Sequence, residues 1–176
     1  MKFKFLFAAT VVAFLVASCG GVDKGLVDNI AKFEGEWTAM VTHVNGMADT
    51  MTTVAAETTK ACEEACNKEC TDKKMKASMD SLKMNCAGKE GMSMTIKNIT
   101  DFKTKLKLKT EEFTAWKAKV MSGEVKGDEA VKKLKEFQDE LIANQDPMNS
   151  FQGAFDMSKE ECMAACTTSK DCCEKK

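Results

Sequence analysis

Hydrophobic residues recur at intervals of three and four along most of the chain. The longest run alternates steps of four and three through four heptads, in the order Leu26, Ile30, Phe33, Trp37, Met40, Val44, Met47, Met51 and Val54. This spacing predicts a helix with one apolar stripe that packs against a partner helix. Methionine and leucine spacing predicts that helical structure continues past the cysteine run at residues 62–70, as far as Asn85.

A second stripe begins after a glycine-containing segment at residues 87–91, which we predict to be a turn. It passes through Ile99, Phe102, Leu106, Lys109, Phe113, Trp116 and Val120. Lys109 is the single polar member of this stripe. Two such stripes on either side of a glycine turn predict neighbouring antiparallel helices.

A third helix is predicted after Ser122-Gly123, beginning at Gly127-Asp128. Its stripe is Ala130, Leu134, Phe137 and Leu141, and Pro147 is expected to end it. Residues 148–157, with Phe151 and Phe155, are predicted to form an irregular connector that places aromatic rings in the bundle. The spacing of Ser158 and Glu161 is typical of a capping box at the start of a short last helix. We therefore predict an all-α antiparallel bundle of three main helices plus a short C-terminal helix.

The first eighteen residues have the layout of an export signal. Lys2 and Lys4 precede thirteen residues, from Phe5 to Ala17, in which Thr10 is the only polar side chain. That stretch is shorter than the roughly 20 apolar residues of a membrane-spanning helix, so it is interpreted as a signal core.

The tetrapeptide Val16-Ala17-Ser18-Cys19 ends this segment and resembles the lipobox of bacterial lipoproteins. The resemblance covers the first twenty residues and implies cleavage before Cys19, which is then acylated. More than one acyl chain gives stable attachment to a membrane without spanning it. Gly20 at the next position favours an outer-membrane address in the sorting pattern of enterobacteria. The predicted organisation is a signal peptide at residues 1–18, a lipidated N-terminus and tether at 19–25, and a helical domain at 26–176.

Charge and composition exclude several function classes. Removing residues 1–18 leaves 24 lysines and 27 acidic residues, and the chain contains no arginine. This balance gives no electrostatic footprint for nucleic acid, so no nucleic-acid partner is expected. A single histidine, His43, provides no basis for a catalytic triad, and no nucleophile elbow or phosphate-binding glycine loop occurs. We expect neither an enzyme nor a cofactor.

Eight cysteines remain once Cys19 is assigned to lipid: Cys62, Cys66, Cys70, Cys86, Cys162, Cys166, Cys172 and Cys173. An even number in an exported protein predicts disulfides. Residues four apart share one face of a helix, so residues 62, 66 and 70 form a row of three thiols and residues 162 and 166 a row of two.

Two antiparallel rows of this kind can form two adjacent disulfides, an arrangement that resembles locally the twin CX3C helical hairpins of small oxidised proteins. The pairs are either Cys62 with Cys166 and Cys66 with Cys162, or the register one turn away, Cys66 with Cys166 and Cys70 with Cys162. Eight cysteines allow 105 pairings, and the sequence does not choose among them.

Metal binding is the main alternative to disulfides. Zinc tolerates such cysteine spacings, and thioethers select Cu(I), for which Met47 and Met51 are candidates. Because both methionines lie in the first stripe, we interpret them as core residues and assign no metal site.

These observations predict a lipid-anchored protein of the cell envelope, stapled by disulfides, whose function is a non-catalytic interaction or structural module with a protein partner. The alternatives are a zinc- or copper-binding envelope protein and a carrier of a small ligand.

Overall fold

The computed structural model describes residues 23–67 and 87–174, with the backbone alone described at residues 63, 65–67, 87 and 166–174. Four helices occupy these ranges: α1 (Lys24–Asn67), α2 (Ala87–Met121), α3 (Gly127–Ala143) and α4 (Gln145–Glu174). The described residues contain no strand, so the predicted all-α class is confirmed. The export signal and Cys19 lie outside the described residues.

The buried stripe of α1 follows the prediction up to Val44 and again at Met51, and differs from it at the positions next to Met51. Ala48 is buried in place of Met47, which is half-buried, and the stripe continues through Met51 and Thr58 to Cys62. The predicted seam is therefore confirmed at Met51, whereas its members Met47 and Val54 are half-buried and pack against the core. An undistorted helix has 3.6 residues per turn, so a strict seven-residue repeat drifts around its surface by about 20° per heptad. This drift is what places Cys62 on the core side of α1.

The second predicted stripe is confirmed on α2, where every member except the half-buried Lys109 is buried. The predicted turn at residues 87–91 is wrong, because these residues form the first turns of α2. Gly88 is instead needed for close packing. A Cβ atom on it would lie 2.3 Å from the carbonyl oxygen of Ser158 and 2.5 Å from the backbone nitrogen of Cys162.

Helix α2 ends at Met121, directly before the predicted stop at Ser122-Gly123. Gly123 has φ +77°, a conformation that glycine adopts without steric cost. The backbone N–H groups of Glu124 and Val125 donate to the carbonyl oxygen of Lys119, which satisfies an acceptor at the helix end. The third helix begins at Gly127 as predicted, and its four predicted core residues are buried.

Helices α3 and α4 are separated by Asn144 alone. Asn144 keeps helical dihedral angles, φ −82° and ψ −7°, and its N–H donates to Glu140. Pro147 lies in the first turn of α4, where a missing N–H breaks no intrahelical bond. The predicted irregular connector at 148–157 is therefore wrong: the segment is helical, although Phe155 is buried as expected.

The predicted short C-terminal helix and its capping box are also wrong. Ser158 lies inside the 30-residue helix α4, and its hydroxyl donates to the carbonyl oxygen of Ala154. A serine bonded back into its own helix does not cap a helix start. Residues 162 and 166 consequently lie in the second half of a long helix.

Contacts between the helices fix their relative order. Glu34 and Asp49 of α1 approach Lys117 and Lys103 of α2, so the contacts run in opposite order along the two helices. Helix α4 approaches the start of α2 near Ser158 and the end of α1 near Cys162. One continuous hydrophobic core extends from Leu26 to Cys162.

Candidate functional site

Sulfur atoms and small side chains meet where the end of α1, the start of α2 and the second half of α4 come together. We call this the sulfur end and define it by Cys62, Gly88, Gly91, Ser158 and Cys162. Cys62 and Cys162 are 9% and 1% exposed. The Sγ atom of Cys62 lies 3.4 Å from Sγ of Cys162 and 3.5 Å from its carbonyl oxygen. These two sulfurs are in contact but not bonded to each other, because an S–S bond is about 2.05 Å long.

The glycines of α2 explain how the backbones approach so closely at the sulfur end. A Cβ atom on Gly91 would lie 2.3 Å from the hydroxyl oxygen of Ser158, and one on Gly88 would meet backbone atoms of α4. Glycine removes the atoms that would otherwise keep the two helices apart. The sequence signal was present as two glycines three residues apart, but we interpreted it as a turn.

The structure joins the two predicted cysteine rows through one member of each. Cys62 of the row of three lies beside Cys162 of the row of two. Cys70 and Cys86 lie outside the described residues. For Cys66, Cys166, Cys172 and Cys173 the backbone is helical and the side chains are not described, so the predicted disulfide pairings stay predictions.

Large aromatic rings occupy the opposite end of the molecule. We call this the aromatic end and define it by Phe33, Trp37, Phe113, Trp116 and Phe137. Ring centroids lie 4.9 Å apart for Phe33 and Phe113, and 5.4 Å apart for Phe113 and Phe137. These edge-to-face geometries are favourable for aromatic pairs. Helices α1, α2 and α3 each contribute, so the cluster ties three elements together.

The two tryptophans of the aromatic end differ in hydrogen bonding. Trp37 Nε1 donates to Thr110 Oγ1 at 2.8 Å, and Thr110 donates in turn to the carbonyl oxygen of Leu106 at 2.8 Å. This chain fixes the register of α1 on α2. Trp116 Nε1 is buried without a hydrogen-bond partner among the described residues, and its ring packs against Phe113 and Phe137.

An ion-pair network joins α2 to α3 beside the aromatic end. Lys109, the polar interruption of the second stripe, lies 2.9 Å from Glu112 and 3.2 Å from Glu140. Lys133 lies 2.9 Å from Glu112 and 3.2 Å from Glu136, with its ammonium 5.0 Å from the Phe137 centroid. Lys109 thus occupies a core-facing position because two carboxylates from two helices surround its ammonium group.

The same contacts shift the acid–base properties of the network. Hydrogen bonds from Lys133 and then Lys109 hold the pKa of Glu112 below its usual value. Hydrogen bonding to Glu112 is the main cause that raises the pKa of both Lys109 and Lys133. All three groups therefore remain charged over a wider pH range than isolated side chains. The sequence does not reveal the role of Glu112, because its partner Lys133 comes from a different helix.

Other candidate ligands are dispersed. His43 is exposed on α1, while Met51 is buried in the core and Met47 packs against it. Among the side chains that the structure describes, no three of His, Cys, Asp or Glu are grouped closely enough to hold a metal ion. In the same part of the chain, no helix has the length and apolar character required to cross a membrane.

No protein-family model, curated protein or solved structure matches this chain.

Proposed function

We propose that this chain is an exported bacterial lipoprotein, anchored to a membrane through Cys19, whose helical body is a non-catalytic interaction module of the cell envelope. The observation that carries the proposal is the lipobox-like Val16-Ala17-Ser18-Cys19 at the end of a signal-like segment. Its position is consistent with the fold, because α1 begins at Lys24, within the last two residues of the expected tether at 19–25.

The short tether gives the body an orientation relative to the membrane. Lys24 follows Cys19 by five positions, and an extended chain spans at most about 3.6 Å per residue, so the two residues lie within roughly 18 Å of each other. Helix α1 has 44 residues, which corresponds to about 66 Å at 1.5 Å per residue. In this proposal the aromatic end lies near the membrane and the sulfur end points away from it.

We propose further that the body is an antiparallel bundle whose sulfur end is closed by disulfides. The reversed order of contacts between α1 and α2 supports the bundle. The 3.4 Å approach of Cys62 and Cys162 sulfurs supports the staple, since it brings the two cysteine rows to one place. Export supplies the oxidising setting in which disulfides persist.

A non-catalytic role is supported by the character of the described core. Its buried polar side chains are Thr58 and Thr95, whose hydroxyls do not ionise near neutral pH. The Glu112 carboxylate, whose pKa is lowered by hydrogen bonds from Lys133 and Lys109, lies in an inter-helix ion-pair network, where such a shift serves structure. The zinc or copper alternative would use the sulfur end, and stoichiometric metal in protein purified from the envelope would favour it.

Replacement of Cys19 tests the anchor. We expect wild-type protein to incorporate a palmitate analogue and to sediment with membranes, and Cys19→Ser to lose both properties. Gly20→Ala is the matched control, because it retains the cysteine and a small neighbour. Gly20→Asp should move the protein from the outer to the inner membrane in an enterobacterial host. Membrane attachment and labelling of Cys19→Ser at wild-type levels would overturn the proposal.

A further inference from the structure

Three methionines are exposed around the sulfur end. Met94 lies three positions after Gly91 on α2, whereas Met157 directly precedes and Met163 directly follows the stretch 158–162 of α4. Their side chains are 65%, 62% and 44% exposed, in the same order. Among the described residues, no other kind of large hydrophobic side chain is exposed at this end of the bundle. The exposed apolar groups here are therefore all thioethers.

These three side chains do not form one face that a partner could cover. Met157 and Met163 are six positions apart, and six residues turn a helix by about 600°, or roughly 240° beyond one full turn. The two therefore project from different sides of α4, and Met94 belongs to another helix. A single docked surface does not account for the exposure of all three.

Exposed and buried methionines differ in what oxidation does to the fold. Oxidation converts the apolar thioether into a polar sulfoxide, which disrupts a packed core. Met92 is 1% exposed and Met51 is 2% exposed, so oxygen added to either sulfur would lie among apolar side chains. Met94, only two positions from Met92, would carry its sulfoxide in water. The fold can thus accept oxygen at the exposed sulfurs and remain intact.

We propose that Met94, Met157 and Met163 form a sacrificial oxidation site that consumes hypohalous acids and protects the sulfur end. With hypochlorous acid, the thioether sulfur loses two electrons and gains the oxygen atom to become a sulfoxide. Chlorine is reduced to chloride, and the proton is released to water. The site is separate from the protein interaction proposed above.

Position and reversibility both support this role. An oxidant arriving from solvent meets the exposed thioethers before the sulfurs of Cys62 and Cys162, which are 9% and 1% exposed. Cysteine oxidation to the sulfonic acid is irreversible, whereas methionine sulfoxide is restored by methionine sulfoxide reductases. Oxidant is therefore consumed at sulfurs that can be repaired.

The first test compares exposed and buried methionines within one protein. The detergent-solubilised mature lipoprotein is treated with less than one equivalent of hypochlorous acid, and sulfoxides are located by peptide mass spectrometry. We expect about tenfold more sulfoxide at Met94, Met157 and Met163 than at Met92, with an unchanged circular dichroism spectrum. Equal oxidation of Met92 and Met94 would overturn the proposal, and so would loss of helix while only the exposed sulfurs have reacted.

Leucine substitutions test protection of the sulfur end. Met163→Leu and Met121→Leu are a matched pair, because these methionines are 44% and 42% exposed and Met121 ends α2, about 40 Å along that helix from Met94. After a fixed dose of hypochlorous acid, reduction and alkylation measure the fraction of Cys162 that is irreversibly oxidised. We expect about twofold more damage in Met163→Leu and about fourfold more in the triple leucine variant of the site. Met121→Leu should match the wild type.

Equal damage in Met163→Leu and Met121→Leu would overturn the proposal, since protection would then not depend on position. Wild-type damage in the triple variant would overturn it as well. Leucine is similar in size to methionine and these side chains lie in water, so the urea midpoints of all variants should equal that of the wild type. Fractionation of Cys19→Ser is independent of these tests, so failure of the anchor and failure of the oxidation site are distinguishable.

Discussion

The two ends of the bundle are held together in opposite ways. At the aromatic end, large rings such as Phe33 and Phe137 fill the space between helices, and the centroids of these two lie 6.0 Å apart. At the sulfur end, Gly88 carries no side chain and the backbones of α2 and α4 nearly touch. Stability at the aromatic end depends on large side chains that fill the space between the helices. Stability at the sulfur end depends on a glycine that has no side chain to keep the helices apart. Truncation should therefore damage one end and enlargement the other.

Phe137→Ala should have the largest effect of a single substitution at the aromatic end. The ring is 2% exposed and packs against Phe33, Phe113 and Trp116. Removing it loses apolar burial and leaves a cavity, at a cost of about 3 to 5 kcal/mol in the free energy of unfolding. Urea denaturation measures the loss of stability. Phe137→Leu should lose less than half as much stability as Phe137→Ala. A cost below about 1 kcal/mol would show that this end is not a packed cluster.

Reduction should act selectively on the sulfur end. Each disulfide contributes about 2 to 4 kcal/mol, mostly by restricting the unfolded chain. Hydrogen exchange with and without reductant should show faster exchange of amides around Cys62 and Cys162, while those around Phe33 and Phe113 change less. Identical urea midpoints in the two conditions would contradict the staple.

Gly88→Ala should destabilise the protein although it adds only one methyl group. Its Cβ would meet backbone atoms of Ser158 and Cys162, which move only if α2 and α4 separate. Overpacking of this kind costs about 1 to 3 kcal/mol. Gly46→Ala is the matched control, because that helical glycine has open space around it and alanine should stabilise by about 0.5 to 1 kcal/mol. A neutral Gly88→Ala would remove the contrast between the two ends.

Extremes of pH should weaken the network beside the aromatic end by a smaller amount. The pKa of Glu112 is lowered in the folded state, so its contribution is present above the unfolded value near 4.5 and is lost as pH falls. The raised pKa of Lys109 and Lys133 gives stability that is present below about 10.5 and lost at higher pH. Solvent screening limits the whole effect to about 1 kcal/mol or less. Glu112→Gln should flatten both limbs of a plot of unfolding free energy against pH, and an unchanged profile would assign no stability to the network.

Periodicity alone predicted the parts of the fold that depend on local burial. The stripes through Phe33, Phe113 and Phe137 lie where the spacing placed them, because an amphipathic helix buries its apolar face whatever its partner is. Residues whose role depends on a distant helix were misinterpreted. Gly88 looked like a turn and Ser158 like a cap, since the close crossing of α2 and α4 joins positions far apart in the sequence.

In the candidate site, too, local features could be predicted from the sequence and contacts between distant helices could not. The spacing of the cysteines and their even number identified the cysteine rows. The contact of Cys62 with Cys162 could not be predicted in this way, because it depends on the drift of the seven-residue repeat around α1 beyond Val44 and on the direction of α4. The network around Lys109 was visible in the sequence only as an interruption. The lysine at this position is explained by its ion pair with Glu140, which lies on a different helix.

The most direct test of the central claim is the intact mass of the protein purified from the envelope without reductant. We predict a chain that begins at Cys19, carries the added mass of its acyl groups, and lacks eight hydrogen atoms relative to the fully reduced form, one for each remaining cysteine. Reduction should restore those eight hydrogens and leave the lipid mass in place. A chain that retains residues 1–18, or one that begins at an unmodified Cys19 and has all nine cysteines as free thiols, would contradict this prediction.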